Sequence, residues 1–385
     1  MKFFLFLFLL VSTTVNAQKG LPPEKIVDIT HTTNYAQHVD FTDSMVKQLV
    51  PIKGWKVKVA AKGLGKPRML LQTQKDRLYI TRRDVGDVLL LTDTDSDHVF
   101  DQLKTVVTEF KGVHGIAQAN GWLYLCSNRE LRRYPMQDDG MMGPPETLMK
   151  DLPDGGQHGN RTMHFGPDGY LYMSIGSTCN DCAETNKENA TMLQVDTTTW
   201  KRTVFARGLR NTIGFDFHPD TKLMFGVDNG ADAKGSDWPP EELNMIAKDG
   251  DYGWPLVYAK KLVDETREDP PGTTKAAYAK NTTGSLLEFP AHMAPIEFRF
   301  LDAAQALVCW HGSWDKKDPD GFKVQLIRFS SGNPQDAQDF LTGFLNKKAR
   351  TRFGRPAGLC IADPSTVYIS DDANGILYCM EKLNP

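Results

Sequence analysis

With 385 residues, 40% of them hydrophobic, and a formal net charge of −3, the chain is long enough to bury a full core. The near-neutral balance leaves no basic stripe of the kind a nucleic-acid partner needs, and the apolar content excludes a disordered chain.

In chain order, Lys2 precedes an apolar run from Phe3 to Val11, and STTVNA follows with small residues at Val15 and Ala17. This is the pattern of a secretory signal peptide over residues 1–17, cleaved after Ala17, and the run is short for a membrane anchor. The expectation is a secreted or periplasmic protein with no membrane span after cleavage. Residues 18–54 are mixed and weakly periodic and read as an N-terminal extension.

From Trp55 one phrase recurs: a turn, a short β-rich strand, then a second strand. KDRLYITRRDVGDVLLLT spans residues 75–92, and NGWLYLCSNRELRRYPM spans 120–136. DGYLYMSIG begins at Asp168 with MLQVD as its partner, and TKLMFGVDNG begins at Thr221 with ELNMI as its partner. AQALVCWHGSW begins at Ala304 and PSTVYISDDANGILYCM at Pro364, which makes six copies. The early spacing of about 45 to 50 residues falls in the propeller-repeat range. Short strands rich in β-branched and aromatic residues, with Gly, Asp and Pro at the turns, predict an all-β fold over residues 55–385. The natural assembly is a six-bladed β-propeller with four-stranded blades, closed by VKVAAKG from Val57 pairing with the last blade.

Four histidines stand at blade entrances: His114, His158, His292 and His311. A neutral imidazole accepts a proton near pH 7, and the glycines around His158 allow a ligand close. A ring of these histidines on zinc or iron is the competing reading, although none share the short spacing of many metal sites. Arg210-Asn211 and Arg355 offer cationic forks suited to carboxylates. The stretch from Asp228 to Glu242 supplies the oxygens a calcium ion takes, without the EF-hand spacing. Cys179 and Cys182, in STCNDC, are either a loop-pinning disulfide or two inert thiols.

Taken in order, HGNRTMHFGPDGYLYMSIG, GLRNTIGFDFHP, PPEELNMIAKDGDYGWP, HGSW with GFKV, and GRPAGL with SDDANG resemble the PQQ-dependent soluble aldose dehydrogenases, including the L-sorbosone dehydrogenase branch. The resemblance implies a propeller holding pyrroloquinoline quinone (PQQ) and Ca²⁺ on one face. It makes His158 the general base that takes the sugar hydroxyl proton while hydride passes to the quinone. Arg210, Asn211 and Arg355 match cofactor contacts, and the family's cofactor-binding lysine falls on Lys317 or its neighbour Lys316. Gly230 and Ala231 match positions whose carbonyls bind the bridging calcium, and Glu242 and the Tyr252 carbonyl match a second calcium site. His114 and Gln157 stand at sugar-contacting positions, where the glucose-oxidising members carry other residues. With no CxxCH, electrons leave to a separate acceptor, a cytochrome or quinone. The same scaffold admits two rivals: a calcium-dependent lactonase or esterase, and a non-catalytic binding propeller.

Overall fold

The computed structural model describes residues 34–383, so the expected signal peptide lies outside the described residues. Among the described residues there are six sheets of four or five strands, and no helix is long and apolar enough to cross a membrane. The first sheet runs Leu70–Gln74, Arg77–Arg82, Asp87–Thr92 and Gln102–Val107, and the second runs Gly115–Ala119, Trp122–Cys126, Leu131–Pro135 and Glu146–Met149. The third comprises Met163–Phe165, Leu171–Ile175, Thr191–Val195 and Arg202–Arg207, and the fourth Thr212–Phe217, Met224–Asp228, Glu241–Ile246 and Leu287–Phe289. The fifth is built on Pro295–Asp302, Gln305–Trp310, Lys323–Ser330 and Asn333–Thr342, and the sixth on Pro356–Asp363, Thr366–Asp371 and Ile376–Lys382.

Each sheet is an antiparallel meander, and the expected repeats are its second and third strands. Local chemistry sets the register. Asn120 and Gly121 make the two-residue link between the first strands of the second sheet, both with positive φ (50° and 77°). Asn-Gly accepts that geometry, whose twist matches the flanking strands. The sixth sheet takes its fourth strand from Trp55–Ala61, which pairs antiparallel with Ile376–Lys382. The predicted closing strand is therefore in place.

First strands of neighbouring sheets pack on one another, and the sixth meets the first; between the third and fourth, Leu171–Ile175 packs on Thr212–Phe217. A cavity of about 360 Å³ is lined by Leu70, Ile116, His164, Asp216, Arg299 and Cys360, one from the first strand of each sheet. The apolar core lies between sheets. Phe225, Phe300 and Phe329, for example, meet edge-to-face with centroids 5.0–5.8 Å apart between the fourth and fifth.

The extension is not separate from this body. Gln37–His38 pairs in parallel with Thr351–Arg352, Val50–Pro51 adds an outer strand to the fifth sheet, and Ala36 and Leu49 are buried. In a meander, the loop entering the first strand and the loop joining the second and third emerge at the same end. His114, His158, Arg210 and Arg355 lie in entry loops, and Gly230, Ala231 and His311 in second-to-third loops. Topology alone therefore gathers them at one end of the assembly.

Candidate active site

His158 sits on the loop entering the third sheet, and its position is over-determined. The buried Arg161 guanidinium donates to the carbonyls of His158 (2.9 Å), Asn160 (3.0 Å) and Pro153 (2.9 Å), which ties the loop down. The imidazole Nδ1 lies 2.9 Å from both the Ser177 carbonyl and its Oγ. A carbonyl only accepts, so Nδ1 carries the proton, and the Ser177 hydroxyl is itself spent on the Cys179 carbonyl at 2.8 Å. The Nε2 lone pair is left for other work. Burial, then the Arg210 charge, lowers the His158 pKa from 6.5 to about 4, so the ring is neutral at pH 7. Gly176 permits this packing: a Cβ there would come within 2.6 Å of the His158 Cβ and 2.9 Å of Asn211 Oδ1.

Arg210 and Asn211 are held from below by Asp228. Its carboxylate accepts from the Arg210 N–H (2.9 Å), the Asn211 N–H (2.8 Å) and the Thr212 hydroxyl (2.7 Å). The Arg210 guanidinium donates to the carbonyl and side-chain oxygen of Asn180 (2.8 Å each) and to the Asn229 carbonyl (3.1 Å), and pairs with Asp232 at 3.6 Å. Asn180 stands inside the Cys179–Cys182 disulfide, which settles the two readings of that pair.

Next to Arg210 is a tight cavity of about 30 Å³, and all of Gly230, Ala231, Glu242 and Tyr252 line it. Lys234, also in its wall, is paired with Asp181 (2.7 Å) and Asp264. Among the described residues Glu242 has no such cation. It accepts only from Asn244 Nδ2 (3.0 Å) and the Ala259 N–H, and burial, then the Asp228 charge, pushes its pKa up to about 8. Burial likewise raises Asp228 to about 6. A divalent cation in this cavity would remove the cost of both buried charges. The Gly230 N–H is taken by Glu241 Oε2 (2.8 Å), while no hydrogen bond engages the Gly230 and Ala231 carbonyls, which suits them to a hard cation. A further group, Asp232, His292 and Asp315, brings its ligand atoms within 4.8 Å of one another.

Where the fifth, sixth and first sheets meet, an open pocket of about 560 Å³ is lined by Lys66, Arg68, Arg83, Arg352 and Arg355 against only Asp84 and Asp372. Arg355 donates to the carbonyls of His311 (3.0 Å) and Gly312 (3.4 Å), and Arg352 to His38 Nδ1 (3.1 Å). Neither has a carboxylate in ion-pair reach among the described residues. Burial lowers the Arg355 pKa to about 10. Burial also works to raise Asp372, but His311 and Arg68, both bonded to it, hold its carboxyl well below the usual range.

Four predicted residues behave differently from this set. Lys317 is exposed; its backbone N–H bonds Ser236 Oγ (2.9 Å), and its side chain lines neither pocket. Lys316 is buried, with its ammonium on the Ala291 carbonyl at 3.2 Å. His114 is fully buried beneath the surface, its Nδ1 on the Arg161 carbonyl at 3.3 Å. Gln157 is exposed beside His158. Sequence reasoning missed Asn180, Ser177, Arg68 and Arg352 as supporting residues, and offered Asp228 only as a calcium oxygen. Arg352, in RFGR, is the one with a visible signal, a second Arg at i−3 from Arg355.

The sequence profile of the TrAA12-like family matches residues 49–252 and 260–383. The chain belongs to the TrAA12-like family. An uncharacterized protein of Borreliella burgdorferi is 30% identical over 57% of this chain, an alignment spanning only 61% of that relative. A pyrroloquinoline quinone-dependent sugar dehydrogenase of Hypocrea jecorina is 22% identical over 86% of this chain and 89% of its own length. In fold, the calcium structure of the Trichoderma reesei enzyme of carbohydrate-active family AA12 superposes with a TM-score of 0.79. It covers 87% of this chain and 97% of that one at 20% identity.

Proposed function

We propose that this TrAA12-like chain is an exported, PQQ- and calcium-dependent dehydrogenase that oxidises an aldose or a related sugar aldehyde. Its six sheets are read as the blades of a closed six-bladed β-propeller, supported by the cavity that all six first strands line. The observation that carries the function is His158: its Nδ1 proton is committed to Ser177, its Nε2 is free, and Arg210-Asn211 is fixed beside it.

The donor set suits the cofactor. PQQ is a tricarboxylate, and Arg355 and Arg352 are guanidiniums without carboxylate partners. In this reading Arg210, Asn211 and Arg355 would hold it, while Lys317, the family-position lysine, stands outside both pockets. The Gly230 and Ala231 carbonyls would hold one calcium ion, and Glu242 with the Tyr252 carbonyl would hold a second. When bound, the quinone accepts hydride and calcium polarises its carbonyl.

The chain's own contribution is positioning and proton transfer. His158 Nε2 accepts the substrate hydroxyl proton, and the Ser177 carbonyl steadies the imidazolium that forms by holding Nδ1–H. The low pKa keeps the ring unprotonated across neutral pH at some loss of basicity. Arg210 would offer a bound quinone a fixed positive charge, and Asn211 a donor. Because Asp228, Asn180 and Asn229 have already oriented them, little reorganisation accompanies the step. Electrons then pass to a separate acceptor.

Addition of PQQ and Ca²⁺ to the purified protein, followed by dye reduction with a panel of aldoses, tests this reading. A protein with no cofactor absorbance and no turnover across the panel would sink it.

A further inference from the structure

The first sheet contributes cations that neither the proton-transfer step nor the cofactor's anchoring uses. Lys66 and Arg68 lie on its entry loop and Arg83 on its second-to-third loop, and all three line the 560 Å³ pocket. Arg68 is committed to Asp372 and touches His311 Nε2 at 3.4 Å. The other two are not committed. Lys66 has only the exposed Asp84 at 3.0 Å, with 66% and 56% of the two side chains exposed, a pair worth little in water. The exposed Arg83 guanidinium makes no hydrogen bond or ion pair among the described residues.

These charges reach toward the chemistry. After burial, the positive charges of Arg68 and Arg83 help push the His114 pKa down. His114 is bonded to the Arg161 carbonyl, and Arg161 holds the His158 carbonyl at 2.9 Å. The first sheet also stands across the ring from the third and fourth, which carry His158 and Arg210. A sugar with its reacting carbon at His158 and its far end over the first sheet would meet Lys66 and Arg83 there. A hydroxymethyl group there leaves both cations unmatched, whereas a carboxylate meets them with charge-assisted bonds, roughly twice as strong as neutral ones. The overall charge of −3 gives no such bias, so the field is local to the pocket.

We infer that the substrate is an acidic saccharide, an aldose bearing a carboxylate remote from the oxidised carbon, which Lys66 and Arg83 recognise. This rests on the dehydrogenase reading for the reacting end, and the two can be tested apart.

Methyl β-D-glucuronoside and methyl β-D-glucoside share a ring and a blocked anomeric carbon, so their binding reports recognition without oxidation there. Calorimetry on protein incubated with calcium and PQQ should show the glucuronoside binding about ten-fold tighter at low salt, with the advantage shrinking as salt rises. Lys66→Ala with Arg83→Ala should erase that advantage and leave PQQ affinity unchanged. Equal binding of the two glycosides overturns the inference. So does a loss of PQQ affinity in the double variant, because the cations then serve the cofactor. Loss of cofactor absorbance on adding glucose or glucuronic acid reports separately on the dehydrogenase reading. Absorbance loss with equal glycoside binding keeps the dehydrogenase and rejects the acidic substrate; selective binding without absorbance change keeps the acidic-saccharide site and rejects the redox chemistry.

Discussion

Asn180 grips the Arg210 guanidinium twice, through its backbone carbonyl and its side-chain oxygen, both at 2.8 Å. The Cys179–Cys182 disulfide encloses the residue that does so. Arg210 therefore owes its aim to a loop of the third sheet as much as to the fourth sheet that carries it. Asn180→Ala removes one bond directly and loosens the other. The expected result is a fall in kcat of about ten-fold to a hundred-fold, with thermal stability nearly unchanged, since fixed electrostatic donors of this kind are worth that much or more. Steady-state kinetics beside a thermal melt checks it, and an unaltered kcat would remove Arg210 alignment from the mechanism.

His158 gives a pH prediction whose sign follows from burial. Its pKa is lowered from 6.5 to about 4, so the free base persists well below neutrality. The acid limb of kcat/KM should therefore centre near pH 4, with no inflection near 6.5. For stability the same shift acts in one direction. Between pH 6.5 and about 4 the unfolded chain binds the proton that the folded site refuses, so stability is lost as pH falls through that window. Arg210→Ala removes one of the charges holding the pKa down and should move the acid limb upward. His158→Ala should lower kcat by about 10² to 10⁴ and leave cofactor absorbance intact.

The same contrast between hairpins and supports runs through the whole chain. Residues 75–92 and 120–136 were legible as strand pairs because β-branched and aromatic runs sit between turn residues. The inner strand Met163–Phe165 has three residues, and the outer Gln102–Val107 is largely exposed and polar, so neither carries a pattern that periodicity can find. In the site, His158, Arg210 and Glu242 were visible because their residue types announce chemistry. Arg161 acts by tying carbonyls of its own loop, and Asn180 and Asp228 by reaching groups of other loops, and only the folded chain defines those distances. For the same reason spacing does not choose between Lys316 and Lys317, and the side chain of neither faces the cationic pocket.

Arg355 should separate affinity from chemistry. Among the described residues its guanidinium bonds only carbonyls of the HGSW loop, and it lies across the ring from His158, with its pKa lowered to about 10 by burial. Arg355→Ala should weaken PQQ binding by about ten-fold or more, the loss of a charge-assisted pair, while kcat at saturating PQQ changes little. Titration of the cofactor by absorbance, beside kcat on the loaded protein, reads both. A large drop in kcat at full loading would instead place Arg355 among the groups that touch the reacting atoms.

Glu242 links the cavity it lines to stability. Its folded pKa is raised to about 8 and that of Asp228 to about 6, so both carboxyls hold protons that the unfolded chain releases at lower pH. With the folded state binding more protons, stability of the metal-free protein falls as pH rises from about 4.5 toward 8. Calcium reverses that term by giving the ionised carboxylates a counter-charge, and its binding to the folded state alone adds stability by mass action. Melts with calcium or with a chelator should therefore differ far more at pH 8 than at pH 5. Glu242→Gln should shrink the calcium gain at pH 8 and make the chelated protein more stable there than the chelated parent, because a neutral amide replaces a buried charge. If chelation leaves the melting temperature at pH 8 unmoved in the parent, the cavity beside Glu242 holds no calcium in solution.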